Sequence, residues 1–265
     1  MRRIRICVVG CRFNHPLGER VLSMWRTLAA RYPVEVHILT TDRWIDAPGD
    51  SKLKDSKNLK IHKLLTVGAK YGQFKHAMPA LLYDLIKLNP DIIYAQEEPI
   101  QVGVTWPAYV AAKALGNPFI FFTWENKLQN WFFPIGSIEK RMIRDSDLII
   151  AGTPESKDIL VKKGAAPNNV AVLPETGIDT QMFRPAKKKP KKTVLYIGRL
   201  VKEKGINVLL RARELLIKKG RHYKYVFIGN GPLRSKLEKL AKRNKDIVLP
   251  KHVPYEQVPK LYHKG

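Results

Sequence analysis

Gly198-Arg199 and Lys204-Gly205 set two cations around the point where an apolar β-type run hands over to a helical pattern. In parallel α/β sheets, ligands bind beyond the carboxyl ends of the strands. A helix start in that position adds free N–H groups and a positive dipole end. Arg can chelate two phosphate oxygens and Lys adds a point charge, so the pair suits a diphosphate. Two solvated surface cations in a Lys-rich segment would give the same spacing. Further along, Gly229-Asn230-Gly231-Pro232 marks the next strand-to-helix junction. Glycine lets backbone approach a ligand closely, and Pro suits the first helical turn. A tight turn explains this stretch equally well. Adjacent strand ends share one crevice, which links the two junctions.

The first part of the chain offers other polar candidates. Gly10 to Gly18 reads GCRFNHPLG and carries Arg12, Asn14 and His15. It is not G-x-G-x-x-G, so the dinucleotide fingerprint is absent. Such a loop lines a polar ligand site or is simply solvated. Glu97-Glu98-Pro99 and Trp124-Glu125-Asn126 each follow a strand pattern. Carboxylates there bind sugar hydroxyls or accept a proton. Alternatively they are helix N-terminal charges, worth about 0.3–1 kcal/mol each. Trp131, Phe132 and Phe133 follow, and core packing is their ordinary use; covering an apolar acceptor or touching lipid is the other. The histidines have no metal spacing, and H-E-x-x-H, Walker A and G-x-S-x-G are absent. Two cysteines, Cys7 and Cys11, make neither a disulfide framework nor a zinc site. No metal and no cofactor are expected.

These residues need strand ends to carry them, and the hydrophobic pattern supplies strands and helices in alternation. Strands are expected at Arg5–Gly10, Val34–Thr40, Leu59–Leu65, Asp91–Gln96, Pro118–Thr123, Asp147–Ala151 and Val170–Leu173. Helices are expected at Glu19–Arg31, Phe74–Leu88, Ile100–Leu115, Ile135–Arg144 and Pro154–Lys163. This is an α/β pattern, a parallel sheet covered on both faces. Residues 1–174 are expected to form a first doubly wound domain. Residues 175–192, with Pro185, Pro190 and KKKPKK, read as a linker. Residues 193–265 restart the alternation with strands at 193–198, 223–229 and 246–250. Helices are expected at 203–219 and 232–243, with a short one near Tyr255. Three strands fall short of the five or six usual in a doubly wound nucleotide domain.

Composition sets the remaining limits. The hydrophobic share of 45% fills ordinary cores. No apolar run approaches the roughly 20 residues that span a bilayer. MRRIRICVVG reads as a first strand, not a leader, which gives an expected cytoplasmic location with peripheral contact to the inner membrane face as a further option. Net charge is +25, and residues 186–265 hold 23 Lys/Arg against 5 Asp/Glu. That excess favours phosphorylated ligands, an anionic membrane surface or nucleic acid. A Lys-rich surface of a heat-adapted protein has the same composition.

Taken together, the chain resembles the family 4 retaining glycosyltransferases of the GT-B fold. The resemblance rests on GRLVKEKGINVLLRA at 198–212, FIGNGPLRSKLEKLA at 227–241 and VPYEQVPKLYHKG at 253–265. PETGIDTQMFRP at 174–185, DIIYAQEEP at 91–99 and DLIIAGTPESKDILVKKG at 147–164 also fit. It implies two Rossmann-like domains, an acceptor domain first and a nucleotide-sugar domain second. It implies sugar transfer from a nucleotide-diphosphate-sugar with retention, in glycan or glycolipid synthesis. Arg199 and Lys204 would then grip the donor diphosphate, with Gly198, Gly229, Asn230 and Gly231 beside it. Asn14, His15, Glu97, Glu98, Glu125 and Asn126 would lie on the acceptor side, the acceptor being a sugar or lipid-linked sugar. Trp124-Glu125-Asn126 stands where many members have a histidine. The family's E-x7-E segment has no counterpart in the chain, which is therefore read as a truncated form, weakly active or inactive alone. Two other classes stay open: a non-catalytic binding subunit completed by a partner, and a basic nucleic-acid-binding protein.

Overall fold

The computed structural model describes residues 2–11, 13, 18–43, 53–68, 76–185, 192–250, 253 and 257–262. Arg12, Asn14, His15 and Lys187 to Lys191 lie outside the described residues. The chain divides into two compact units, Met1–Gly177 and Ile178–Gly265.

In the first unit the order is β1 (Ile4–Val9), α1 (Gly18–Arg31), β2 (Val34–Thr41), β3 (Leu59–Leu64) and α2 (Leu81–Leu88). It continues with β4 (Ile92–Ala95), α3 (Val102–Leu115), β5 (Phe119–Thr123), α4 (Ile135–Asp145), β6 (Leu148–Ala151), α5 (Pro154–Lys162) and β7 (Val170–Val172). The seven strands form one parallel sheet in the order β3-β2-β1-β4-β5-β6-β7. The order reverses between β1 and β4, where Val8 sits beside Tyr94. A reversal of this kind opens a crevice at the carboxyl ends of the two strands.

Strand alternation builds a core on each face. Cys7, Val9, Ile93, Ala95, Phe119 and Phe121 join one buried cluster with residues of α2, α3 and α4. Val8, Tyr94 and Phe122 join the other, with Leu22, Trp25 and Ala29 of α1. Neighbours along a strand go to opposite faces because the side-chain period is two. Each large side chain taken fully out of water contributes roughly 1.5–3 kcal/mol. Local chemistry fixes where helices start: Thr153 accepts a hydrogen bond from the Ser156 N–H at 3.2 Å, and Pro154 opens α5.

One expected helix is corrected. The pattern over Phe74–Leu88 yields a helix only from Leu81 among the described residues. Ala77 instead pairs with Val67 through two N–H···O bonds of 3.0 Å. Pro79 accounts for this, because a proline disfavours helical backbone at the residue before it.

The second unit contains β8 (Thr193–Ile197), α6 (Ile206–Lys218), β9 (Lys224–Ile228), α7 (Arg234–Arg243), β10 (Ile247–Val248) and α8 (Val258–Tyr262). Its three strands are parallel, in the order β10-β9-β8. The helix expected from residue 203 is broken: Lys202–Lys204 form a 3-10 turn and Gly205, at φ 74°, precedes α6. A left-handed residue ends one turn and lets the next helix start at a new angle. Leu200, Ile206, Leu210, Tyr225, Phe227, Leu237 and Ile247 form its core. Among the described residues, no helix of either unit is long and apolar enough to cross a membrane.

A forked ion pair ties α6 to the β10 edge. Arg213 donates from Nε to Asp246 Oδ2 at 2.6 Å and from Nη2 to Asp246 Oδ1 at 2.7 Å. The Arg213 guanidinium holds the Asp246 carboxyl below its ordinary range, against an opposing effect of burial. Asp246→Asn should therefore cost about 1–3 kcal/mol in urea unfolding, as expected for a charge-assisted pair. A depressed folded-state pKa makes this contribution present above the ordinary value of 3.8 and lost as pH falls through the folded value. The gap between wild type and variant should close over that acid range.

Candidate functional site

Each unit gathers its candidate residues at the carboxyl ends of its strands. In the second unit these are the loops after β8 and β9, and they are bound to each other. The Gly198 N–H donates to Ile228 O at 3.0 Å, the Leu200 N–H to Asn230 O at 2.8 Å, and the Leu233 N–H to Leu200 O at 3.0 Å. A Cβ placed on Gly229 would stand 1.9 Å from the Gly198 carbonyl oxygen, and one on Gly231 would stand 2.7 Å from that of Leu200. Gly229 also holds φ 141°, a conformation L side chains rarely adopt. Gly229 and Gly231 thus let their loop pack backbone to backbone against Gly198 and Leu200 as one ledge. Asn230 is exposed, and its Oδ1 accepts from the Gly231 N–H at 2.9 Å.

Arg199 and Lys204 flank this ledge. Arg199 follows the strand end directly and Lys204 closes the 3-10 turn before α6. Both are exposed, and neither side chain has a hydrogen bond or ion pair among the described residues. The Arg199 backbone is held from below by Tyr196, whose hydroxyl donates to Arg199 O at 2.8 Å. Sequence reasoning missed Arg234. It donates from Nη1 to Gly229 O at 2.8 Å and from Nη2 to Pro250 O at 3.2 Å, bracing the ledge. Its place just after Gly-Pro-Leu was the available signal.

In the first unit, Glu97 and Glu98 lie at the point where strand order reverses. Glu97 is buried, and its Oε1 accepts from the Cys11 N–H at 2.6 Å, bridging the ends of β1 and β4. Cys11 Sγ lies 2.6 Å from His76 Nε2. Glu98 accepts from the Thr123 hydroxyl and from the Trp124 N–H, the latter at 2.8 Å, joining β4 to β5. Trp124 Nε1 donates to Glu175 Oε2 at 2.8 Å, carrying the rim on to the segment after β7. The two carboxylates expected to meet a ligand therefore also fasten neighbouring strand ends together.

Glu125 is tied differently. Lys163, almost wholly buried, donates from Nζ to Glu125 Oε1 and, at 2.9 Å, to Glu139 Oε1. Burial holds the Glu139 carboxyl above the ordinary range; Lys163 opposes this, and the charges of Glu125 and Glu98 add to it. One lysine thus serves two carboxylates, and Glu125 Oε2 is buried with no hydrogen-bond partner among the described residues. Glu139, Lys163 and Glu175 had no signal in the sequence, because only tertiary contact makes them a group. Asn126 is exposed. Of the two uses open to Trp131, Phe132 and Phe133, core packing is excluded for the last two, which are 69% and 83% exposed, and Trp131 is half-buried. They lead into α4 from a turn that turns outward before the helix begins. Among the described residues no group of three or more His, Cys, Asp and Glu is placed to hold a metal ion.

Two substitutions test these arrangements. Gly229→Ala should destabilise the second unit by about 2 kcal/mol or more, because strain and a backbone clash act together. A melting curve unchanged from wild type would contradict the ledge. Lys163→Met leaves two buried carboxylates without their counter-charge, and should cost about 3–5 kcal/mol in denaturant unfolding. A loss below 1 kcal/mol would mean that the two acids find other partners (order of magnitude of one ordinary hydrogen bond, ~1 kcal/mol).

Comparison with known proteins gives these sites a setting. The chain is similar to the sulfoquinovosyl transferase SQD2 of Arabidopsis thaliana, 26% identical over 188 residues, covering 61% of this chain and 34% of that protein. It is similar to the capsular polysaccharide biosynthesis glycosyltransferase CapM of Staphylococcus aureus, 24% identical over 256 residues, covering 82% of this chain and 67% of that protein. The chain thus spans about a third of the length of the first relative. Among solved structures, Anabaena Alr3699/HepE in complex with UDP and glucose matches with a TM-score of 0.71 at 12% identity, over 99% of this chain and 73% of that one. At that identity the likeness is one of fold, and the α/β architecture is that of GT-B glycosyltransferases. Residues 177–264 match the model described as glycosyl transferases group 1. Residues 17–176 match the glycosyl transferase 4-like domain, and the chain belongs to that family.

Proposed function

We propose that this chain belongs to a retaining glycosyltransferase that takes a sugar from a nucleotide-diphosphate-sugar. The observation that carries the reading is the pair of exposed cations, Arg199 and Lys204, flanking a rigid glycine ledge at parallel strand ends. The ledge gives backbone that a phosphate can approach, and the cations supply charge where charge develops. When the bond from sugar to phosphate breaks, negative charge grows on the leaving diphosphate. Cations placed at the strand ends stabilise that charge as it develops. Arg199 is the two-pronged contact and Lys204 the point charge. A relative's solved complex with UDP and glucose supports a donor of this type.

On the acceptor side we place Glu97, Glu98, Glu125 and Asn126: the exposed Asn126 amide faces sugar hydroxyls, and the three carboxylates, tied to Cys11, Thr123, Trp124 and Lys163, fix the rim around it. Asn14 and His15, which lie outside the described residues, belong to the proposed set on sequence grounds alone. Glycan or glycolipid synthesis is the setting this reading favours, with a sugar or lipid-linked sugar as acceptor.

Calorimetric titration with UDP tests the donor half. Arg199→Ala and Lys204→Ala should each weaken binding roughly tenfold or more, the worth of one charge-assisted contact. Both side chains are exposed, so melting temperature should stay at the wild-type value. UDP binding of equal strength in wild type and in the doubly substituted chain would overturn the assignment.

A further inference from the structure

The loop between β5 and α4 presents large apolar side chains to solvent on a fixed frame. Phe132 and Phe133 are 69% and 83% exposed, and Leu128 is 57% exposed. The frame is tight. The Gly136 N–H donates to Phe132 O at 3.0 Å, and the Ile138 N–H donates to Pro134 O at 3.0 Å. A Cβ on Gly136 would stand 2.3 Å from the Trp131 carbonyl oxygen, so the turn packs directly on the start of α4. Two phenylalanines held outward in this way gain nothing from water. Large apolar side chains exposed together in one short turn mark a contact surface.

The surroundings say what kind of contact. On α4, Lys140, Arg141 and Arg144 are exposed, and Lys127 is exposed in the loop itself. Of the acids on this helix, Glu139 is buried with Lys163, and Asp145 is the single carboxylate shared by Arg141 and Arg144. Nearby Asp147 lies 3.8 Å from Lys113. The outward face therefore carries an excess of positive charge beside an apolar tip. Aromatic rings at the depth of the headgroups, with Lys and Arg alongside, match an anionic bilayer surface.

We propose that the Leu128–Phe133 turn and the outer face of α4 dock the first unit onto an anionic lipid bilayer, with Phe132 and Phe133 entering the interface. The docking stands whether or not the chain transfers a sugar, and it uses residues separate from Arg199 and Lys204.

The test is co-sedimentation with vesicles of phosphatidylcholine alone and of phosphatidylcholine mixed equally with phosphatidylglycerol. Wild type should bind the mixed vesicles and bind the neutral ones weakly. Phe132→Ser with Phe133→Ser should weaken binding to mixed vesicles by roughly tenfold or more. Lys140→Glu with Arg144→Glu should weaken it by roughly fivefold or more per residue. All four side chains are exposed, and Phe133→Ser alone serves if the double variant melts early. Tryptophan fluorescence should be quenched by lipids brominated on their acyl chains in wild type and not in the phenylalanine variant. Wild type that ignores both vesicle types overturns the proposal. So does a phenylalanine variant that binds mixed vesicles as tightly as wild type, since charge elsewhere on the chain would then carry the binding.

Discussion

Two parallel strands cannot be joined by a tight turn; the chain must cross over a sheet face before it pairs again. Ten strands here obey that constraint without exception among the described residues. Every strand end of one kind then lies on one edge of its sheet, and every loop that follows a strand meets its neighbours there. Residues far apart in sequence are collected without any pairing of their own. Glu97 reaches Cys11 and Glu98 reaches Trp124 for this reason. The same geometry sets the loop after β8 against the loop after β9.

That collection point is polar in both units, but it is polar in two ways. In the first unit the charges are consumed by structure: Lys163 stands between two acids, and Glu98 holds the neighbouring strand. In the second unit the backbone does the holding, through glycine contacts and the Arg234 brace, and the cations are left exposed. Burying a charge is tolerable only with a close counter-charge and further hydrogen bonds, which is what the Lys163 group provides. Leaving a charge exposed keeps it available to a ligand at small cost.

The elements were legible where local chemistry repeats. Thr153-Pro154 announces a helix start, Gly116 a helix end, and alternating apolar pairs announce strands. The exceptions have local causes that apolar periodicity hides. Pro79 defeats the helical spacing before Leu81, and Gly205 cuts a helix that charge and hydrophobicity extend through. The glycines of the ledge were visible as residues that permit close approach, but what approaches them first is another loop. Lys163 looked like any lysine at a helix end, because a buried ion pair is a property of two distant positions. Phe132 and Phe133 stood open in the sequence between core packing and an outward apolar contact, and the fold removes the first by leaving them exposed.

The contact between Gly198 and Gly229 has a consequence for how this sequence can change over generations. A mutation at Gly229 is judged by the other loop, because the Gly198 carbonyl already fills the space a side chain would need. A side chain at Gly229 could be admitted only if the loop after β8, encoded in a separate stretch of gene, moved with it. Drift is channelled to the neighbours Arg199, Lys204 and Asn230, whose side chains meet no such wall. Any new ligand preference in this unit would be written at those positions, on a backbone that stays the same.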